Sequence, residues 1–445
     1  MELRAKRILK ALSCSAFVSL VSCQAVNDYV GGRFAGPPDQ LYGHIGPDAR
    51  QLIEKAKEGI GPKGPVDHHV HVAGLGTPVN RLCLNIKAGG VWINPDYRSR
   101  THPIYYLNAP LFLSASGIRD RNDADAQYLE KLVQLVRESR IGGSYFLYAL
   151  DWRYNPPPDN RAPDREGTDL YVANDHVIAL AQCLNAMPLG GARFVAVGSV
   201  HPYREDAVAA LDWLARQGVR YIKWLPPAQN IDPARKGLGP FFRALKVNGI
   251  TLFSHTGNEH TLRVARQDQE LADPLRLAAA LEMGVRVVML HASRAGREPK
   301  PGPDGKRKEY FERFLTLMER YPSNLFGEIS AVPYLGTHPR LERLMSNPMI
   351  LCRLVNGSDY PLPGIAITRP TDRLLKAGYL SWPGDRGLQE AERRKDALDE
   401  IYGYNPLLFD FVMKRTIRVK GRKLPDSVFG ALPETDTPAC SPSRY

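Results

Sequence analysis

The chain has 445 residues, of which 43% are hydrophobic and 24% charged, a composition typical of a folded protein with one large core or two smaller ones. The formal net charge of +12 comes from Lys and Arg residues that are interleaved with acidic ones, and we see no basic stripe of the kind that favours nucleic-acid binding. Apolar runs stay well short of the roughly 18 residues that a membrane-spanning helix needs.

The N-terminus has the pattern of an export signal. Residues 1–10 carry four basic side chains and residues 11–21 form a short apolar segment, which are the first two parts of a secretory signal. The stretch Leu20-Val21-Ser22-Cys23 resembles the lipobox of bacterial lipoproteins. That resemblance implies a signal peptide over 1–22 and lipidation of Cys23, and Gln24 then implies the outer membrane of a Gram-negative cell. Two alternatives stay open: an ordinary signal cleaved near 23–25, and a buried N-terminal segment of a cytosolic protein.

Residues 23–64 are expected to form a tether that contains one short helix at about 46–58, because Gly- and Pro-rich loop residues precede that helix. The later cysteines, Cys83, Cys183, Cys352 and Cys440, are widely spaced and form no CxxC pattern, which argues against a zinc framework. An exported location permits a disulfide, but the sequence does not define the pairing.

From residue 65 onward, short β-rich runs alternate with amphipathic helical stretches. The runs cover residues 65–72, 143–150, 193–200, 219–226, 249–256, 285–292, 324–331 and 352–359. Eight strand–helix units predict an α/β protein with a closed (β/α)8 TIM barrel over 65–415, followed by a C-terminal tail over 416–445. The rival is an open doubly wound sheet, but no glycine-rich phosphate loop follows the first run.

The interval between the first two predicted strands is unusually long. Residues 78–118 form an excursion that is rich in aromatic side chains and too apolar for disorder. Long loops in compact domains often cover active sites, so we expect this insertion between the first strand and the first helix to cover a substrate site.

Polar side chains lie near the C-terminal ends of several predicted strands. His69 and His71 are two residues apart on the first strand, so they are expected to face the same side, whereas His68 is expected to face away from the barrel axis. The other candidates share the same position at the ends of the fourth, fifth, sixth and eighth strands: Lys223, His255, His291 and Asp359. Each has a structural explanation when taken alone, but in a barrel all of them converge on one mouth. Imidazoles with a carboxylate and no cysteine suit a divalent metal such as zinc.

The order of these residues along the strands resembles the amidohydrolase superfamily, and the local stretches resemble its amidohydrolase-2 branch. The stretches are VRYIKWLPPAQNIDP at 219–233, GITLFSHTGNEH at 249–260, VVMLHAS at 287–293, NGSDYP at 356–361 and IYGYNPLLF at 401–409. The resemblance covers residues 65–412 and does not define a substrate.

The resemblance implies that His69, His71, His255 and Asp359 bind one divalent metal, most simply Zn²⁺. It implies that His291 is an acid/base or an oxyanion stabiliser, and that Lys223 is a cationic donor beside the site. If Lys223 is instead carboxylated, two metal ions are expected. With a metal-activated water, Asp359 would accept a proton and the site would hydrolyse an amide, ester or lactone.

Two other functions stay open, a metal-dependent decarboxylase on the same barrel and a non-catalytic envelope binding lipoprotein. The partners expected are a small-molecule substrate and a membrane, reached through the lipid anchor; nucleic acid is not expected, and the oligomeric state is open. The weaker candidates for substrate contact share positions just beyond strand ends: Arg153, Tyr154, Glu259, His260, Arg294 and Glu328.

Overall fold

A computed structural model describes residues 31–32, 35–79, 82–98, 103–298, 307–334 and 338–433, with the backbone alone for residues 98, 103–108 and 338. The predicted signal segment, Cys23 and Cys440 lie outside the described residues. Within the described part of the chain, no helix combines the length and apolar character that a membrane crossing requires.

Ten β-strands are described, and eight of them form the barrel. Their bounds are β1 Val66–His71, β2 Val91–Ile93, β3 Ser144–Tyr148, β4 Leu170–Val172, β5 Arg193–Val197, β6 Tyr221–Trp224, β7 Thr251–His255, β8 Val287–Leu290, β9 Leu325–Glu328 and β10 Leu354–Val355. All neighbours in the orders β1-β3-β5 and β6-β7-β8-β9-β10 are parallel. Parallel bridges between Gly198 and Ile222 and between Val70 and Tyr360 join the two sheets on both sides. The predicted closed (β/α)8 barrel is therefore confirmed.

The helices surround this barrel. Their bounds are α1 Leu41–His44, α2 Pro47–Lys57, α3 Pro103–Ala115, α4 Ala124–Ser139, α5 Asn174–Asn185, α6 Ala207–Arg216, α7 Pro226–Gln229, α8 Gly239–Val247, α9 Ala278–Glu282, α10 Tyr310–Arg320, α11 His338–Ser346, α12 Pro348–Leu351, α13 Thr371–Lys376, α14 Leu388–Tyr404 and α15 Pro406–Thr416. Helix α10 shows why they pack: Phe311, Phe314 and Met318 recur at helical spacing and are buried.

The barrel strands bury both faces. On β7 and β8, Phe253 and Val288 pack with the residues that fill the barrel, whereas Leu252 and Val287 pack with the surrounding helices. Parallel strands that are covered on both sides need apolar residues at consecutive positions, which explains the continuous apolar runs in the sequence.

The insertion after β1 forms a separate layer at the barrel mouth. Strand β2 within it pairs antiparallel with β4, which lies beyond β3. A disulfide joins Cys83 of the insertion to Cys183 of α5. The cross-link and the strand pair together hold the insertion against the barrel.

Both terminal segments pack against the barrel where they are described. The helix expected at about 46–58 is observed as α2, and its Leu52 and Ile53 belong to the main hydrophobic core. Beyond α15, Val428 and Phe429 are buried in the same core. The described parts of the expected tether and tail, 35–64 and 416–433, are thus built into the folded body, because each carries apolar side chains that the helices cover.

Candidate metal centre

A β-bulge in β1 shapes the histidine run. Asp67 lies opposite Tyr145 of β3, but Val70 lies opposite Leu147, so β1 uses one residue more than its partner strand. Such a bulge breaks the alternation of side chains across the strand.

The bulge overturns the expectation that His68 faces away from the barrel axis. The His68 ring packs inside the barrel, with its centroid 4.7 Å from that of Phe146 and 6.3 Å from that of Phe253. Its Nδ1 donates a hydrogen bond to the Asn356 carbonyl at 2.9 Å, and burial lowers the pKa of His68 to about 4. His68 is therefore a neutral packed imidazole beneath the site.

His69, His71 and Asp359 bring three donor atoms together. The Nε2 atoms of the two histidines lie 3.1 Å apart, and Asp359 Oδ1 lies 3.3 Å from His69 Nε2 and 3.0 Å from His71 Nε2. Ligands around a tetrahedral cation with bonds of about 2.0–2.1 Å are separated by roughly 3.3 Å. The donor set therefore fits a divalent cation held between β1 and the end of β10.

The local backbone places Asp359 at this point. Its N–H donates to the His69 carbonyl at 2.8 Å, which ties the end of β10 to β1. Asp359 has a φ of 60°, a left-handed conformation that non-glycine residues rarely adopt and that is concentrated at functional sites. Burial opposes ionisation of this carboxyl, but His69, His71 and His291 outweigh burial and hold the pKa of Asp359 well below its usual range.

Glu328 at the end of β9 orients His69. The two side chains are 3.2 Å apart, between His69 Nδ1 and Glu328 Oε2. An Nδ1–H that donates to this Glu328 oxygen leaves the lone pair of His69 Nε2 directed at Asp359. Glu328 Oε2 also accepts hydrogen bonds from Ser330 Oγ at 2.9 Å and from the His291 N–H at 3.3 Å. Burial raises the pKa of Glu328 to about 8.

His291 begins a strained turn after β8. His291, Ala292 and Ser293 have successive φ values of 59°, 45° and 49°. His291 Nδ1 is hydrogen-bonded to Ser330 Oγ at 2.9 Å and lies 4.0 Å from Asp359 Oδ2. Burial lowers the pKa of His291 well below its ordinary value. The turn thus places an imidazole beside Oδ2 of Asp359, the carboxylate oxygen that faces away from His69 and His71.

Lys223 of β6 completes the inner wall. Its Nζ lies 3.5 Å from His69 Nε2 and 4.9 Å from the centre of the Tyr148 ring. Burial lowers the pKa of Lys223 to about 8. A cation at this position can stabilise negative charge that develops next to His69.

His255 of β7 reaches the same mouth but is oriented differently. Its ring centroid is 4.8 Å from that of His291, whereas its Nε2 donates to the Gly257 carbonyl at 2.9 Å and lies 3.7 Å from Glu259 Oε2. His255 is not part of the converging donor set of His69, His71 and Asp359, and its role as a metal ligand stays a prediction.

A cavity of about 390 Å³ lies over these groups. His71, Lys223, His255, His291 and Asp359 line it from the barrel side. The insertion supplies apolar side chains on the other side, among them Ile93, Leu111, Phe112 and Leu113. The segment that was expected to cover a substrate site is therefore a wall of this cavity.

Apart from Glu328, which orients His69, the weaker candidates divide into two groups. Arg153 is paired with Asp164, and Tyr154 packs on His201; neither lines the cavity. Glu259, His260 and Arg294 do line it. The sequence analysis did not identify Ser330, which holds both His291 and Glu328, although Glu328 and Ser330 are two residues apart at a strand end, as His69 and His71 are.

A family model and several solved structures are similar to this chain. The family model for amidohydrolases matches residues 66–406, which is more than half of the chain. An uncharacterised TIM-barrel protein from Bordetella bronchiseptica is 18% identical, with 76% of this chain and 98% of that chain covered and a TM-score of 0.41. The 5-carboxyvanillate decarboxylase of Sphingomonas paucimobilis is 14% identical, with coverages of 59% and 79% and a TM-score of 0.35.

A third solved structure is the 5-carboxyvanillate decarboxylase of Novosphingobium aromaticivorans with bound manganese, which is 15% identical, with coverages of 56% and 74% and a TM-score of 0.33. No curated protein matches the chain.

Proposed function

Since this chain belongs to the amidohydrolase family, we propose that it is a metal-dependent hydrolase that cleaves an amide, ester or lactone bond of a small molecule. The observation that carries the proposal is the convergence of His69 Nε2, His71 Nε2 and Asp359 Oδ1 within 3.3 Å of one another below a cavity. We further propose that the cation is a single zinc ion, because two imidazoles and one carboxylate are ligands that zinc favours.

The side chains have separate roles in this reaction. A bound divalent cation supplies a Lewis acid and lowers the pKa of a water molecule. Asp359 is ionised and partly exposed to the cavity, so its Oδ2 can accept a proton from the attacking water and return it to the leaving group. Lys223 beside His69 and His291 beside Asp359 stabilise the oxyanion of the substrate carbonyl. The apolar side chains of the insertion lower the polarity of the cavity wall, which strengthens these interactions.

We also propose that the protein is exported and anchored by a lipid on Cys23, facing the periplasm. The signal pattern of residues 1–23 supports this location, as does the Cys83–Cys183 disulfide, because disulfides persist in oxidising compartments. In cell fractionation, Cys23→Ala should move the protein out of the membrane fraction. An unaltered distribution would contradict the anchor.

Elemental analysis of the purified protein tests the metal centre. We expect about one metal ion per chain in the wild type. His71→Ala and Asp359→Asn should retain only a small fraction of it, since each loses a donor atom. His260→Ala is the matched control, because this imidazole lines the cavity outside the donor set. A metal-free wild type after zinc loading would refute the centre, and two ions per chain would favour a carboxylated Lys223.

His255→Ala tests the fourth expected ligand in the same analysis. Loss of the ion would support ligation by His255, and retention would limit the set to His69, His71 and Asp359. A turnover screen of lactones, esters, amides and carboxylic acids then identifies the reaction. Release of carbon dioxide in place of hydrolysis would replace the hydrolase by a decarboxylase.

A further inference from the structure

Arg294 lies just beyond the strained turn that begins with His291. Its backbone N–H donates to the His291 carbonyl at 3.0 Å, which fixes the residue next to the metal centre. Arg294 lines the cavity and is largely withdrawn from solvent, and burial lowers the pKa of its guanidinium. The side chain is thus a cation at the wall of the site.

The guanidinium of Arg294 makes no hydrogen bond or ion pair with any residue that the structure describes. Other arginines near this region are paired: Arg313 contacts Asp273 and Glu298, and Arg340 contacts Glu309. A half-buried charge without a partner is costly, so such a group in a cavity points to a ligand that completes it.

The two carboxylates whose charges face Arg294 are already engaged. Asp359 contacts His69 and His71, and Glu259 Oε1 accepts hydrogen bonds from the backbone N–H groups of residues 261 and 262. Arg340 is a second cation whose charge reaches Arg294. Neither carboxylate forms an ion pair with the guanidinium, which leaves its hydrogen-bond donors available to a ligand.

Much of the rest of the cavity wall is apolar. Leu111, Phe112 and Leu113 of the insertion, together with Leu362 and Ile365 beyond β10, are apolar. A cavity of about 390 Å³ can hold a small organic molecule. The arrangement combines a large apolar surface, one free guanidinium and the metal centre.

We propose that the substrate carries a carboxylate on an apolar body, and that Arg294 binds this carboxylate while the reacting carbonyl lies at the metal centre. This inference rests on the proposed function for the position of the reacting carbonyl, but the anion site itself does not depend on turnover. A guanidinium binds a carboxylate through two parallel hydrogen bonds, which fixes the orientation as well as the affinity.

Calorimetric binding of matched acids and amides tests the anion site. The probes are benzoate, phenylacetate, 3-phenylpropionate and 4-phenylbutyrate, each compared with its neutral amide. We expect at least one acid to bind the wild type roughly 10–100-fold more tightly than its amide, as a charge-assisted hydrogen bond predicts. Arg294→Gln should abolish that preference, and Arg294→Lys should restore part of it.

Three controls make the result specific. Arg297→Gln removes a neighbouring exposed arginine that is paired with Glu309, and it should keep the preference for the acid. Thermal unfolding of each variant shows whether it is folded. Each titration is repeated on chelated protein, since a carboxylate also binds a metal ion directly.

The outcomes separate this inference from the proposed function. Equal binding of acids and amides by the wild type, or a preference that survives in Arg294→Gln, overturns the anion site even if one metal ion is present. An Arg294-dependent preference in a wild type that never holds metal supports the anion site and refutes the hydrolase.

Discussion

Glu328 is the side chain that decides how His69 faces the candidate metal centre. It is fully buried at the end of β9, where it contacts His69, Ser330 and the backbone of His291. A carboxylate behind a ligating histidine fixes the ring and its tautomer, and the loss of such a partner commonly costs 10–100-fold in metal affinity.

We predict that Glu328→Ala lowers zinc affinity by roughly 10–100-fold, whereas Glu328→Gln keeps most of it. The glutamine amide oxygen can still accept the hydrogen bond from His69 Nδ1–H, and alanine cannot. Competition with a chromophoric chelator measures the affinity, with the exposed Glu319→Gln as a control for charge. If both Glu328 variants bind zinc like the wild type, the orienting role is wrong.

At the scale of residues, the sequence was enough to predict that the candidate side chains lie together at one end of the barrel. It was not enough to predict the orientation of individual histidine rings. Strand ends in a barrel lie at one rim, so the types and positions of Lys223, His291 and Asp359 were sufficient to expect them together. The prediction for His68 was wrong because a β-bulge turns its side chain into the barrel. The regular alternation of side chains along a strand gives no sign of such a bulge. The Nε2 direction of His255 depends on the Gly257 carbonyl, a contact made by a loop.

At the scale of elements, the eight barrel strands were predictable because short runs rich in apolar residues recur with amphipathic helices between them. The pairing of β2 with β4 was not predictable from the sequence, because each strand has only three residues and the two lie about 80 positions apart in the chain. Their pairing places the insertion over the mouth, and the Cys83–Cys183 disulfide is its second attachment.

We predict that Cys83→Ser lowers the free energy of unfolding by about 2–5 kcal/mol, because the disulfide closes a loop with a sequence separation of 100 residues. Urea titration under non-reducing conditions measures the change. Cys183→Ser and the double variant should lose the same amount as Cys83→Ser, because one bond is lost in all three.

Limited proteolysis supplies the local readout for this disulfide. Cleavage between residues 82 and 98 should become faster in each variant, because the insertion then loses its covalent attachment to α5. If either single serine variant has the same free energy of unfolding as the wild type, the disulfide does not stabilise the folded protein.

At the scale of the whole molecule, a buried neutral histidine links stability to pH. His201 follows β5, and its Nε2–H donates to the Gln229 carbonyl at 2.8 Å while its Nδ1 accepts from the Tyr203 N–H at 3.2 Å. Both ring nitrogens are therefore satisfied only in the neutral tautomer. Burial, followed by the charges of Arg204 and Arg153, lowers the pKa of His201 to about 3.

The unfolded chain binds a proton at His201 near pH 6.5, whereas the folded protein binds one only near pH 3. The stabilisation is thus complete above about pH 6.5 and is lost as the pH falls toward the folded value. We predict that His201→Gln reduces the slope of unfolding free energy against pH by up to about 1.4 kcal/mol per pH unit between pH 4 and 6. Urea titrations at several pH values measure the slope. His44→Gln, which removes an exposed histidine, is the control for the substitution itself. A wild-type slope in His201→Gln would show that the folded protein accepts the proton at His201 as readily as the unfolded chain does.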